Sequence, residues 1–445
     1  MEILLALSIA LFCGLMLSRL AKLIHLPAVT AYLVAGILVG PYVLGQLGVA
    51  GIGFTSKENI ETFSILSDVA LGFIAFSIGN EFRVSQLRKI GKQATVIGIF
   101  QAVITTLLVD AALIGLHFLM PETLSLSAAI TLGAIASATA PAATLMVVKQ
   151  YKAKGPLTEL LLPIVALDDA VGLVLFSVSF GVAKAMVPGG TISVMSVAVE
   201  PILEVLLSLA LGACMGLLFT FVERFFHSRS KRLSMSVAFV LTTVALSMIS
   251  KEITVGAQHI HIGFSPLLSC MMLGTVFCNI CDFSEELMDR LDRWTAPLFI
   301  MFFVISGAEL ELSVFTSISI VIVGIVYIVF RSIGKYSGAF ISSKAVHCDP
   351  QIVKYLGITL LPQAGVALGM ANQVGNDPIF PAADGILVVN ITLFAVLIYE
   401  IVGPMLTKIS LLKAGEIKPE GKTSARTDWL EKIKNSIPHP HINNK

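Results

Sequence analysis

The chain has 445 residues, of which 56% are hydrophobic and 13% charged, with a formal net charge of +1. A soluble protein averages about 25% charged residues, so this composition excludes an ordinary soluble domain and indicates a polytopic membrane protein. Near-neutrality also excludes bulk electrostatic recruitment to nucleic acid or an acidic partner, so specificity has to come from local sites.

Apolar runs of spanning length fall in order near residues 3–23, 27–45, 62–80, 94–118, 124–148, 158–184 and 198–222. Six more follow near 233–250, 261–280, 294–308, 313–341, 350–374 and 385–407, which makes thirteen. The first run has Glu2 and no basic segment ahead of it, with Arg19 and Lys22 at its far end. It reads as a membrane helix and not as a cleaved signal peptide. Alternate loops collect seventeen basic residues, among them Arg83, Lys149, Lys152, Arg232 and Arg293, and the opposite loops hold only Lys57, Lys184 and Lys251. The bias places the N-terminus outside and the C-terminus in the cytoplasm.

Residues 411–445 are polar and read as a short cytoplasmic tail, below the roughly 50 residues of a usual domain, so no nucleotide-binding regulatory domain is expected there. His439 and His441 read as a solvated end. The six cysteines lie in or beside apolar runs as small hydrophobes do, and the lone CxxC of Cys278 and Cys281 lacks the second ligand pair that a zinc site needs. No cofactor is expected.

The two halves of the chain repeat one another. Gly79 and Glu81 in FSIGNEF align with Gly307 and Glu309 in FVISGAELEL at an offset of 228. Pro27 and Gly36 find Pro266 and Gly274 at 239 and 238, Pro141 finds Pro362 at 221, and Asp169 finds Glu400 at 231. The units lie seven spans apart, an odd number, so equivalent helices run in opposite directions across the bilayer. That is the inverted repeat of secondary transporters, with a substrate site at the midplane between paired discontinuous helices.

The chemistry concentrates in LLPIVALDDAVGLVL, residues 161–175, where Asp168 and Asp169 interrupt an apolar run. A membrane helix from Thr158 would put Asp168 about 15 Å deep in a layer of about 30 Å. An ionisable side chain there costs several kcal/mol unless it is paired, hydrated or neutralised, so a functional site is the default reading. The fifth span, GAIASATAPAATLMV, clusters Ser137, Thr139 and Thr144 about Pro141; its partner, TLLPQAGVALGMA, carries Pro362, Gly365 and Gly369. Proline frees an upstream carbonyl, so both helices are expected to unwind and to cross beside the acids. The eleventh span supplies countercharge from Arg331 and Lys335, four residues apart on one face. Adjacent residues diverge by about 100° on a helix, so one acid can pair with that countercharge while the other faces an ion cavity. There a hard monovalent cation with oxygen ligands competes with a proton. No nucleophile, metal-ligand spacing or nucleotide loop offers a rival chemistry, and no enzyme activity is expected.

These motifs, with LPAVTAYLVAGILVGP near the start and GKYSGA in the eleventh span, resemble those of the bacterial monovalent cation/proton antiporters of the cation/proton antiporter-2 branch, over residues 1–410. The resemblance implies an all-α membrane fold with two crossed discontinuous helices, and a homodimer. It divides residues 1–410 into a transport unit near 94–184 and 313–407 and a scaffold or dimer unit near 1–80 and 198–308. It makes Asp169 the exchanged acid, pairs Asp168 with Lys335, and adds Ser137 and Thr139 to the ion site, with Na⁺ held by Asp169, Asp168 and Thr139. Arg331, one turn from Lys335, is the competing partner for Asp168. Relatives with an acid in the second broken helix differ from this chain, which has Gln363, Ala364 and Gly365 there, and Glu400 stands as a candidate auxiliary acid.

The expected function is exchange of cytoplasmic Na⁺ for external H⁺ in the cell membrane by alternating access, electrogenic as the resemblance implies. A K⁺/H⁺ antiporter is the alternative, since a carboxylate and hydroxyl cage does not reveal its radius, and Li⁺ is a further possible substrate. A channel is disfavoured by paired acids facing a lysine, and an organic-anion symporter by the want of cationic groups to face a cavity, Arg331 alone being spare. His259 and His261 in AQHIHIGF are candidate pH-sensing groups, and the spacings Gly36 to Gly40 and Gly212 to Gly216 are candidate helix contacts or a dimer face.

Overall fold

A computed structural model describes residues 2–417, apart from 24–25, 49–52, 56–59, 61, 81, 188–198, 227, 250, 256–257, 282–283, 310–317, 376 and 378. At 2–3, 64, 85–89, 201, 251–262 and 285 the backbone alone is described. Glu81, the tail beyond 417 and the side chains of His259 and His261 therefore lie outside the described residues.

The order is α1 (Glu2–Leu23), α2 (Ala28–Val39), α3 (Ser64–Asn80), α4 (Val84–Leu119), α5 (Leu126–Ile135), α6 (Pro141–Tyr151), α7 (Pro156–Ala185), α8 (Glu200–Glu223) and α9 (Arg229–Ser247). A hairpin follows, β1 (Lys251–Val255) with β2 (Gln258–Ile262), and then α10 (Pro266–Ile280), α11 (Ser284–Glu309), α12 (Ile318–Ala345), α13 (Pro350–Thr359), α14 (Gly365–Gly375) and α15 (Ala382–Lys413). Proline opens α6, α7, α10 and α13, where its missing amide is an orphan in any case and its fixed φ suits a first turn. Ser125 and Ser265 cap α5 and α10 by accepting from Ala128 N and Leu268 N.

The described residues form fifteen α-helices, with α5–α6 and α13–α14 each separated by a short break. Eight helices among the described residues are by themselves long and apolar enough to cross a membrane. Among the described residues the fold is all-helical apart from this one short hairpin. KEITV and QHIHI alternate polar and apolar residues with period two, and they pair antiparallel with Thr254 opposite His259 and Glu252 opposite His261.

The internal repeat is visible in the packing. A Cβ on Gly36 of α2 would strike Val304 O and Ala308 N of α11, and one on Gly274 of α10 would strike Phe76 O and Asn80 N of α3. Val304 and Ala308 are Phe76 and Asn80 displaced by the same 228 residues. Reciprocally, Gly307 abuts the backbone of Leu33 and Gly79 that of Met271, which are again 238 apart. The two halves thus make the same glycine-mediated contact twice. Gly40 packs on Ala308, and Gly212 and Gly216 pack on Ser269, Leu273 and Val276 of α10. Those glycines are consumed by contacts within the chain, which removes them as a dimer face.

One hydrophobic cluster joins α1–α3 with α8–α11, and two others are drawn chiefly from α4–α7 and α12–α15. Helices α6 and α7 lie at the seam, since Ala140, Ala143, Leu145, Leu162 and Ala166 pack into the first cluster.

Candidate functional site: a buried acid pair at two facing helix breaks

Helix α5 ends at Ile135 and α6 begins at Pro141; α13 ends at Thr359 and α14 begins at Gly365. The main chain between them has lost its helical partners and must find others. The two breaks supply some to each other, with Ala140 N donating to Pro362 O at 2.8 Å. Gln363 donates from Nε2 to Ile135 O at 3.1 Å and to the Tyr327 hydroxyl at 2.9 Å.

Arg331 satisfies three more carbonyls. Its Nε donates to Ala136 O at 2.9 Å, Nη2 to Ala138 O at 2.7 Å and Nη1 to Leu361 O at 2.7 Å, while the guanidinium stacks 4.4 Å above the Tyr399 ring. A planar fork with five donors can hold both breaks at once, where an ammonium would reach fewer acceptors. Arg331 is fully buried and touches no carboxylate among the described residues.

One turn further along α12, Lys335 is also fully buried. Its Nζ lies 3.0 Å from Asp168 Oδ2 and 2.8 Å from Thr139 Oγ1, and it donates to Ser137 O. Thr139 Oγ1 donates to the same Asp168 oxygen at 2.6 Å, and Gln101 Nε2 of α4 donates to Asp168 Oδ1. Both oxygens of Asp168 are therefore occupied. The Ser137 hydroxyl turns back to Ala134 O at 2.7 Å, so it is the carbonyl of Ser137, not its hydroxyl, that enters the network.

Asp169 is the exception. It is 2% exposed, and neither carboxylate oxygen has a hydrogen-bond partner. Such a group is costly unless it carries a proton or meets a cation. Asp168, Thr139, Lys335 and Ser137 O thus form one network and Asp169 stands outside it, so a cation held by all of Asp169, Asp168 and Thr139 requires rearrangement about Lys335.

Asp169 lies two turns along α7 from Leu162 and on the same face, and Leu162 lines a cavity of about 740 Å³. That cavity opens at the end of the bundle that carries Arg83, Lys149, Lys152 and Arg293. On its wall Lys149 of α6 pairs with Asp292 of α11 at 2.6 Å. Glu400 lies elsewhere. It is 5% exposed with Oε2 unpartnered, and it takes no part in the hydrogen bonds of Asp168, Thr139 and Lys335. Cys278 and Cys281 are buried thiols, not a disulfide.

Sequence reasoning missed Gln101 and Tyr327, which complete the network. A lone amide in the apolar run IFQAVITTL was the available signal for Gln101. It also missed Glu416, whose carboxylate accepts from Leu157 N (2.6 Å), Thr158 N (2.8 Å) and Thr158 Oγ1 (2.6 Å) at the start of α7.

The family model described as "Sodium/hydrogen exchanger, transmembrane" matches residues 7–413. The chain belongs to this family. The exchanger is accordingly a multi-pass membrane protein of the monovalent cation/proton antiporter class. It is 26% identical over 423 residues to the K(+)/H(+) antiporter subunit KhtU of Bacillus subtilis, covering 91% of this chain and 94% of the relative. It is 22% identical over 363 residues to the Na(+)/H(+) antiporter NhaS4 of Synechocystis, covering 80% and 84%. Its fold is similar to that of the sodium proton antiporter MjNhaP1 of Methanocaldococcus jannaschii, with a TM-score of 0.63 at 18% identity in a structure at pH 8, covering 98% and 99%. A TM-score of 0.70 at 17% identity is found with an electron-microscopy map of that protein, covering 93% and 98%.

Proposed function

We propose that this exchanger carries a monovalent cation out of the cytoplasm against entering protons, with Asp169 as the carboxylate for which cation and proton compete. The observation that carries this reading is the contrast between neighbours: Asp168 is held by Lys335, Thr139 and Gln101, whereas Asp169 is buried with both oxygens unpartnered. A buried carboxylate without donors can be neutral with a proton or compensated by a small cation, but not both, and that exclusivity is what exchange requires.

Arg331 fixes the two helix breaks and Lys335 neutralises Asp168, so Arg331 is a positioning residue and Lys335 the charge partner. The cavity at the basic end is the cytoplasmic approach, following the loop bias, and Asp169 lies on the α7 stripe above it. Helices α4–α7 and α12–α15 move as a transport unit against a scaffold of α1–α3 and α8–α11, with the Lys149–Asp292 pair spanning the seam. With Asp168 neutralised by Lys335, Asp169 alone gives one proton per cation; electrogenic exchange follows if Lys335 also releases a proton when the cation recruits Asp168.

Na⁺ is the proposed substrate. K⁺ is the second reading, favoured by similarity to a K(+)/H(+) antiporter subunit over 91% of the chain. Everted vesicles with a preset pH gradient test both. Addition of Na⁺, Li⁺ and K⁺ in turn is expected to collapse the gradient with Na⁺; collapse with K⁺ alone transfers the assignment to K⁺, and no response to any cation refutes antiport.

A further inference from the structure

Beyond the acid pair, helix α4 carries two buried oxygens that the exchange site does not use. Thr106 Oγ1 and Asp110 Oδ1 have no hydrogen-bond partner, and they stand four residues apart on one face of the helix. Asp110 is a carboxylate in the interior of a span from Val84 to Leu119, a position that calls for a functional explanation as much as Asp168 and Asp169 do.

The neighbouring helices show where this face leads. Gly133 of α5 abuts the Asp110 carboxylate, so closely that a Cβ at Gly133 would collide with Oδ1. Helices α4 and α5 run in opposite directions, so one turn inward from this contact brings Thr106 on α4 and Ser137 beyond the end of α5. The Ser137 hydroxyl lies 3.3 Å from where a Cβ on Gly172 would sit, and Gly172 is one turn from Asp169 on α7. Helices α4, α5 and α7 pack mutually, and these two glycine contacts place Asp110 and Ser137 along the seam they share, with Thr106 one turn from Asp110 and Asp169 one turn from Gly172. The seam continues toward the C-terminal end of α4. Its far end holds His117, seven residues beyond Asp110 and so on the same stripe, with Nδ1 2.6 Å from Leu124 O.

We infer that this seam is a proton path and that Asp110 is its relay acid, handing protons between the outer face and Asp169 through the hydroxyls of Thr106 and Ser137. The inference rests on the antiport reading and deepens it, by giving the proton a route separate from that of the cation. Helix α5 brings no charged residue to Asp110. Asp168, Lys335 and Arg331 of α7 and α12 are engaged with one another or with main chain, and Asp384 of α15 accepts from Ser125 and Ser127 at the start of α5; Asp169 stands at the inner end of the seam and His117 beside Asp384 at the other. The glycines serve the path, since a methyl at Gly133 would push into the Asp110 carboxylate.

The test separates proton movement from cation movement in proteoliposomes of the full chain. Cation counterflow, read with radioactive sodium and with rubidium in parallel for K⁺, moves the cation without net proton transfer; cation/proton exchange needs both. Asp110→Asn is expected to leave counterflow within about twofold of the unmodified protein while cation/proton exchange falls by about tenfold or more. Asp110→Glu is expected to restore exchange, and Thr106→Val and Gly133→Ala to lower it with counterflow retained. If both modes fall together in Asp110→Asn and in Thr106→Val, or if neither falls, the proton path is overturned. Absence of exchange in the unmodified protein with every cation would instead strike the antiport reading, and this inference with it.

Discussion

Replacing Lys335 by Met removes the charge partner of Asp168 while keeping most of the side-chain volume. The carboxylate it leaves behind is fully buried and retains donors only from Thr139 and Gln101. Breaking a buried ion pair from one side typically costs about 3–5 kcal/mol, and most of that is the penalty of the stranded charge. Each kcal/mol shifts the melting temperature of a 150–250-residue protein by roughly 2–4 °C. For the longer chain here the drop in Lys335→Met should be of the order of 5 °C. Asp168→Asn combined with Lys335→Met removes both charges, and the double variant should recover at least about 2 kcal/mol relative to the single one. Thermal unfolding of the detergent-solubilised protein, followed by the fraction remaining monodisperse, reads all three. If the double variant melts no higher than Lys335→Met, the stability of this region does not reside in the pair and the assignment of Lys335 as partner of Asp168 fails.

Arg331→Lys should be far from conservative: an ammonium cannot bond Ala136 O, Ala138 O and Leu361 O together, and with charge-assisted bonds at about 1.5–3 kcal/mol each the variant should lose both thermal stability and exchange. Arg331→Lys with unaltered transport would show that the guanidinium fork is not what fixes the breaks. Gly36→Val and Gly274→Val should impair folding to a similar degree, because each drives a side chain into the equivalent backbone of the opposite repeat; membrane abundance checks this, and a tolerant Gly274 beside an intolerant Gly36 would contradict the equivalence. Glu416→Ala should cost about 1–2 kcal/mol by leaving the first amides of α7 unbonded, with Glu416→Gln recovering part of it, again read by melting temperature.

The placement of the acids and the breaks was legible because the membrane makes anomalies conspicuous. Asp168, Asp169, Pro141 and Pro362 stand out against apolar sequence in a way they would not in a soluble protein. The repeat was legible through glycine, since offsets of 228 and 238 recur where backbone meets backbone. The division of labour between Arg331 and Lys335 was not: four residues apart, they share a face, and only the depth of their acceptors separates a fork that binds carbonyls from an ammonium that binds Asp168. Gln101 was illegible for a related reason, because a single amide in an apolar helix gains meaning only when the neighbour it serves is known. The β1–β2 hairpin was not legible against the helical runs around it, because a strand pair of five residues each gives too short a pattern to stand out. Glu416 closes a contact across more than 250 residues, and nothing local to it points to α7.

The central claim is that cation and proton compete at Asp169, and the most direct measurement is cation-driven collapse of a preset pH gradient in everted vesicles carrying Asp169→Asn. Asp169 makes no hydrogen bond that the amide would forfeit, so the variant should be produced at normal abundance and melt within about 1 kcal/mol of the unmodified protein, or above it. Such a well-folded protein is expected to show no collapse with Na⁺, Li⁺ or K⁺. Undiminished exchange in Asp169→Asn would contradict competition at Asp169.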